Sequence, residues 1–320
     1  MQRVSAMMLP AFCGMTLMSA APSLADVAPH EWLDRMSNAV QTIDYEGTVI
    51  RITEGRAEAL KVIHKVSDGV VRERVIAQEG NGLEIIRNGN EVHCILPQRK
   101  SVLVEEWNDQ STLFSTLPSG QLRFGNEYDV KIVDRERIAG RDAIQLAIKP
   151  HDEFRYEHRV WLDEETGFPL QTQLIGVGGA PLEQVKFADI SLNREINAAA
   201  LQPTYSTENF KWYNQPRRRV TPVVDSSWQN TALPAGFRLV SAQQEIMPGT
   251  EEPVTHLMYS DGLANVSVFI VTHADEKISD RNQVGASNSF STVLDGYRIT
   301  AVGEVPAVTV ERVATTMQRR

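Results

Sequence analysis

Residues 60–96 read LKVIHKVSDGVVRERVIAQEGNGLEIIRNGNEVHCIL, and this stretch decides the fold class. Short runs rich in valine and isoleucine alternate apolar with polar residues, and turn dipeptides separate them. Asp68-Gly69 divides Leu60–Val66 from Val70–Ala77, and Asn88-Gly89 divides Leu83–Arg87 from Glu91–Leu96. Both dipeptides accept the positive φ that tight hairpin turns require. The stretch is therefore an antiparallel meander.

Working outward, the period changes upstream of Tyr45. Trp32, Leu33, Met36, Ala39, Val40 and Ile43 recur at three- and four-residue spacing, which predicts one amphipathic helix over residues 29–43. Downstream, further strands are expected at Ser101–Glu105, Tyr128–Arg135, Arg141–Ile148, Tyr156–Leu162, Leu170–Ile175 and Leu182–Ile190. The loop Asn108–Gly120, with Leu113, Phe114 and Leu117, is read as holding a short helix on the sheet. So long an antiparallel sheet must curl or close. A preceding helix with an apolar stripe is suited to plug its concave side. The expectation is an α+β chain whose first part is a half-open antiparallel β-barrel with a helical lid.

Phe210–Ser227 breaks the alternation: Lys211, Arg217, Arg218 and Arg219 lie among Trp212, Tyr213, Pro216 and Pro222. Proline and clustered charge mark an interdomain linker. After Trp228 a smaller α+β domain is expected, with strands at Phe237–Ile246, Val254–Ser260, Leu263–Val271 and Tyr297–Val302. Asp261-Gly262 is read as a tight hairpin turn, and Pro306 as opening a helix with Val310, Val313, Ala314 and Met317 as its buried stripe. The division is then 26–209, a linker at 210–227, and 228–320.

Residues 1–25 read as a secretory signal peptide, with Arg3 at the start, an apolar run over Met7–Met18, and Ser23-Leu24-Ala25 as the small-x-small cleavage site. The apolar run is too short to span a bilayer comfortably, and no later stretch approaches the length of a membrane helix. The mature chain is thus expected to be exported. Cleavage removes Cys13 and leaves Cys94 alone, so no intramolecular disulfide forms. Cys94 shares a strand face with Val92 and Leu96 and reads as a small buried hydrophobe. The 320 residues hold 32 basic and 41 acidic groups, a formal charge of −9, which argues against a nucleic-acid partner.

Catalytic chemistry leaves no signature. The seven histidines make no H-E-x-x-H, and no paired-cysteine zinc pattern exists, so neither a metal nor a cofactor is expected. His64 and His256 sit in strand patterns and read as hydrogen-bonded structural histidines. Gly285-Ala286-Ser287-Asn288-Ser289 lacks the second glycine of a nucleophile elbow. Gly176-Val177-Gly178-Gly179 lies between strands, the wrong context for a dinucleotide loop. No catalytic residue is assigned, and the chain is read as a non-enzyme.

Taken in order, several segments resemble the RseB/MucB family of periplasmic regulators of the extracytoplasmic stress sigma factor. They include Tyr45-Glu46-Gly47-Thr48, Asp68 through Arg74, Glu84 through Gly89, Arg155-Tyr156, and Trp161-Leu162-Asp163 with Thr166 through Leu170. Leu233 through Phe237, Tyr259 through Ala264, Val268-Phe269-Ile270 and Val302 through Pro306 continue the likeness. Val271 departs from it, because an acidic residue is expected there.

The resemblance implies a first domain shaped like the lipoprotein carriers LolA and LolB. It also implies a partner, the periplasmic segment of a membrane-spanning anti-sigma factor of the RseA/MucA type. The regulator would shield that segment from site-one proteolysis until envelope stress, sensed as lipid or lipopolysaccharide, releases it. An acyl chain would then lie in the half-barrel on a lining of Val62, Val66, Val71, Val75, Val92, Leu96, Val102 and Val104. The partner would dock on Trp212, Tyr259 and the run Arg217, Arg218 and Arg219, residue types that dominate interfaces. A lipid or lipoprotein carrier and a hydrolase built from dispersed residues remain the rival readings, and homo-oligomerisation is left open.

Overall fold

The computed structural model describes residues 27–106, 126–214, 220–223, 227–246, 253–272 and 279–320. The expected signal peptide, the loop expected to hold a short helix, and Arg217, Arg218 and Arg219 lie outside the described residues.

Helix α1 spans Pro29–Thr42, with proline in its first turn, where a missing N–H leaves no bond unmade. Arg35 reaches back four residues to Glu31 at 2.9 Å, a modest surface pair. Its apolar stripe is divided between two clusters. Trp32, Leu33 and Met36 pack with Tyr128, Ile144, Leu146, Ile148, Val160 and Leu162. Ala39 and Ile43 pack with Tyr45, Val49, Val62, Val75 and Phe187. Burying a side chain such as Met36 contributes about 1.5–3 kcal/mol.

Beneath the helix lie twelve strands. The first meander is β1 (Tyr45–Thr53), β2 (Arg56–Ser67), β3 (Val70–Ala77), β4 (Glu84–Asn88), β5 (Glu91–Leu96) and β6 (Ser101–Glu106). The second is β7 (Tyr128–Ile138), β8 (Arg141–Pro150), β9 (Glu157–Asp163), β10 (Pro169–Ile175) and β11 (Pro181–Leu192). One pairing, β1 with β11, joins the two meanders into a single sheet. Gly47 sits at that joint, where an added Cβ would lie 2.4 Å from the Asp189 carbonyl oxygen. β12 (Lys211–Asn214) then adds to β6 in parallel, at the far edge. The outer strands β7 and β12 do not pair, so among the described residues the sheet is open.

Both hairpin turns form, but the second is displaced by one residue. Asp68 and Gly69 both have positive φ, 53° and 74°, as a mirror-image type I turn requires. In the next hairpin Asn88 pairs with Glu91, so the loop is Gly89-Asn90, with the positive φ of 62° at Gly89. Asn88 ends the strand instead of opening the turn.

Between β11 and β12 the chain crosses the back of the sheet. Ile196 and Leu201 pack on Ile63, and Arg74 donates to the Ala200 carbonyl at 3.0 Å. Glu84 is fully buried there, accepting from Arg74 at 2.8 Å and from the Thr204 backbone N–H at 2.9 Å. Burial opposes its charge, yet the bonds from Thr204 and Arg74 outweigh that and hold the carboxyl below its ordinary value.

The second sheet contains β13 (Val220–Pro222), β15 (Arg238–Glu245), β16 (Val254–Ser260), β17 (Asn265–Val271), β18 (Asp280–Val284), β19 (Ser287–Leu294) and β20 (Tyr297–Gly303). β14 (Trp228–Asn230) pairs with β21 (Met317–Arg319) as a separate ribbon. Helix α2 (Ala307–Thr315) buries Val310, Val313 and Ala314 against Val266, Val268, Ile299 and Ala301. Pro306 precedes the helix as its cap, and Met317 joins the same core from β21.

A buried charge cluster holds the two sheets together. Arg155, just before β9, is buried and donates from Nε to Asp261 at 2.5 Å, and also to Asp152 and the Ala235 carbonyl. Tyr128 donates its hydroxyl to the same Asp261 oxygen at 2.8 Å. The other Asp261 oxygen accepts the backbone N–H groups of Leu263 and Ala264 at 2.9 and 2.7 Å. The guanidinium lies 4.9 Å from the centre of the Phe237 ring. Leu263, from this turn between β16 and β17, reaches into the cluster beneath α1. Asn288 donates to the Tyr156 hydroxyl at 3.0 Å, and Thr309 to the Phe154 carbonyl at 2.8 Å.

Candidate functional site

Strand register builds the site. Val62 faces Val75, which faces Ile85, then Cys94 and Leu103, and residues directly opposite share a sheet face. Two residues along, the row is His64, Glu73, Arg87 and Val92, and in the other direction Leu60 faces Ala77. Tyr45 and Val49 of β1 oppose His64 and Leu60 on the same face.

At the Leu60 end this face opens into a pocket of about 520 Å³. Its lining includes Leu60, Val75, Ala77, Leu83 and Ile85, with Arg51, Glu58, Glu79 and Asn81 supplying polar groups. Arg51 and Glu58 pair at 2.6 Å, with both side chains about half exposed. An apolar floor with a few polar groups, at this volume, is the form of a small-molecule site.

Toward the Asp68-Gly69 turn the same face becomes polar. Tyr45, His64 and Glu73 are each 1% exposed. Nδ1 of His64 lies 2.9 Å from Glu73 Oε2, and the imidazole stacks on the Tyr45 ring at 4.8 Å between centroids. Among the described residues, Tyr45 Oη, His64 Nε2 and Glu73 Oε1 have no hydrogen-bond partner. Burial, then the charge of Glu73, pushes the Tyr45 phenol well above its ordinary pKa, so it stays neutral and keeps its proton. Arg87 is buried as the cross-strand neighbour of Glu73 and donates from Nε to the Gly89 carbonyl at 2.8 Å.

Six of the eight expected lining residues share this face: Val62, Val66, Val71, Val75, Val92 and Leu96. Of these, Val75 lines the pocket, while Val62 and Val92 are fully buried. Val102 and Val104 are corrected to the opposite face, where they face Ile95 and His93. The cause is parity. The connection through Pro97–Lys100 pairs Leu96 with Ser101, which sets the even residues of β5 against the odd residues of β6.

Among the expected partner anchors, Trp212 is 49% exposed on β12, edge-to-face with His93 at 5.3 Å. Tyr259 is corrected: it is 2% exposed within the second core, its hydroxyl 3.7 Å from Met317 Sδ. An aromatic residue suits an interface and a core equally, and the alternation of β16 turns this one inward.

Three further titratable groups among the described residues are held within the fold. Burial, then Glu105, pushes the Cys94 thiol up, away from a reactive thiolate. His256 bonds Gln243 and Ser267 at 3.0 Å each and stacks on Phe269. Burial pushes His158 down to about 4, against the opposing influence of Asp261. Sequence reasoning missed the polar centre and the Arg155–Asp261 cluster. A charged residue beside Tyr156 and an aspartate in a turn carry no local sign that they meet across 106 residues.

A family model described as the MucB/RseB N-terminal domain matches residues 28–205, and one described as the MucB/RseB C-terminal domain matches residues 223–318. Over 301 residues the chain is 30% identical to the sigma factor AlgU regulatory protein MucB of Pseudomonas aeruginosa, covering 92% of each chain. It is 27% identical over 303 residues to the sigma-E factor regulatory protein RseB of Escherichia coli K12, covering 93% of each. Among solved structures, a chain from the complex of Pseudomonas aeruginosa MucA and MucB superposes with a TM-score of 0.72 at 30% identity, covering 91% of this chain and 99% of that one. With both of its parts matched in order and its relatives covered nearly end to end, the chain belongs to the MucB/RseB family.

Proposed function

We propose that this chain binds the periplasmic segment of a membrane-spanning anti-sigma factor of the RseA/MucA type and shields it from site-one proteolysis. The observation that carries this reading is the near full-length likeness to MucB in its complex with MucA. Residues 1–25 act as the export signal, and the mature chain works in the periplasm as a binding protein, not as an enzyme. Residues 26–209 form a half-open barrel of the LolA/LolB kind with α1 as its lid, 210–227 a linker, and 228–320 a second domain. Trp212 and the neighbouring Arg217, Arg218 and Arg219 receive the partner. This run concentrates charge beside an exposed aromatic side chain.

Release on envelope stress follows from an acyl chain of a lipid or lipopolysaccharide entering the pocket beside Leu60 and Val75. Such a switch is a coupling free energy: the ligand weakens partner binding by the factor by which the partner weakens ligand binding. Helix α1 supplies a physical route. Its Ala39, with Ile43 just beyond its end, shares a cluster with Val75, while its Trp32 and Met36 share one with Leu263 of the turn between β16 and β17.

The test is protection. The purified anti-sigma factor is digested with its site-one protease, alone and with equimolar mature chain. Slower cleavage in the presence of the chain is expected, and an unchanged rate would contradict the shielding role.

A further inference from the structure

The pocket beside Leu60 and Val75 has a charged rim of uneven sign. On β1 and β2 its lining ends at Arg51 and Glu58, which oppose each other in the strand register and pair at 2.6 Å. On β3 the lining passes from Val75 and Ala77 to Glu79, just past the end of the strand. The loop that carries Glu79 is tied at both ends. Gln78 donates its N–H to the Ala59 carbonyl and Ala77 donates its own to the Leu83 carbonyl, each at 2.9 Å. Gly80 and Gly82 close the turn with positive φ of 74° and 67°, a conformation suited to glycine. The rim therefore presents two carboxylates and one guanidinium, and Glu58 already engages the guanidinium.

An amphiphile that lays its apolar part on Leu60, Val75, Leu83 and Ile85 leaves its polar end among these groups. Water still reaches them: Arg51 and Glu58 are 51% and 58% exposed, and Glu79 is exposed as well. An ammonium end meets Glu79 while the Arg51–Glu58 pair stays intact. A carboxylate or phosphate end meets the like charge of Glu79, and it gains Arg51 only by displacing Glu58. At exposed positions one opposite-charge contact tightens binding by at most about five-fold, and a like-charge contact weakens it by a similar factor. We infer that this rim selects an amphiphile whose polar end is an amine over one that ends in an anion. The inference rests on the reading that an acyl chain occupies the pocket, and it goes further by naming the charge of the group that the chain leaves at the rim.

The test measures binding of decylamine, decanol and decanoate to the purified mature chain by calorimetry at neutral pH. The three probes share one alkyl chain and differ in the charge of its end. Decylamine is expected to bind tightest and decanoate weakest, with roughly ten-fold between them, one attraction gained and one repulsion avoided. Glu79→Gln removes an exposed charge, and it is expected to bring that ratio to about two. The chain as a whole is acidic, with a formal charge of −9, so a second variant separates the rim from the general field. Glu165→Gln removes one carboxylate outside the pocket lining, on a side chain 82% exposed, and is expected to leave the ratio unchanged.

Decanoate binding as tightly as decylamine would overturn the selection by charge and leave the apolar pocket standing. A ratio that falls equally in both variants would overturn the assignment to the rim. Absence of binding by all three probes would remove the pocket reading, and the inference with it.

Discussion

Two buried charge clusters flank helix α1, and they differ in how completely they are satisfied. Around Arg155 and Asp261 the described donors and acceptors meet: the guanidinium reaches two carboxylates and a carbonyl, and Asp261 accepts from Arg155, Tyr128 and two backbone N–H groups. Around His64 and Glu73 one contact of 2.9 Å is made and three polar atoms are left over. Both clusters are desolvated alike. Burying charge is costly unless geometry and hydrogen bonding are complete, so the first behaves as a fixed joint and the second contributes less to stability.

Breaking the joint gives the largest effect. Arg155→Ala leaves Asp261 buried without its cation, and the expected loss is about 3–5 kcal/mol in denaturant unfolding. A loss below about 1 kcal/mol would show that the cluster does not hold the sheets together.

A histidine that feels the charge of Asp261 carries a pH signature of its own burial. His158 is expected to be neutral in the folded chain, with its pKa at about 4. Unfolded histidine titrates near 6.5. As pH falls from about 6.5 to about 4, the unfolded chain takes up this proton first, so stability declines across that window and levels off below it. His158→Gln removes that part of the slope, and identical pH profiles for the two proteins would refute the assignment.

The open cluster responds in the opposite direction. Tyr45→Phe deletes a buried hydroxyl that no described residue pairs, without opening a cavity, so the chain is expected to gain about 1 kcal/mol. A loss of stability would mean that the hydroxyl is satisfied after all. Replacing Arg217, Arg218 and Arg219 together with alanine tests the proposed role of the linker. The same variant should weaken partner binding and make it less salt-sensitive. Unchanged affinity would take the linker out of the interface.

Much of this comparison could not be read from the sequence, and the reason is distance along the chain. Helix 29–42 and the meander over residues 60–96 announce themselves through local periodicity and turn residues. β12 does not: Lys211–Asn214 is exposed at every position and pairs in parallel with a strand more than a hundred residues earlier. Which residues share a sheet face was legible as far as parity held, and the reading failed at Val102 and Val104, where a short connection exchanged odd for even. His64 was recognisable as a strand histidine with a partner, but the unpaired state of its Nε2 and of the Tyr45 and Glu73 oxygens among the described residues depends on the tertiary fold. Asp261 reads as turn chemistry, which it supplies through one oxygen, while its other oxygen makes the joint.

The most direct test of the account is to measure binding of the mature chain, residues 26–320, to the periplasmic segment of its cognate anti-sigma factor, with and without lipopolysaccharide fragments. Tight binding that the fragments weaken is the expected result, and it would establish partner and switch together. Absence of binding under every condition would contradict the regulator reading and bring the carrier reading forward.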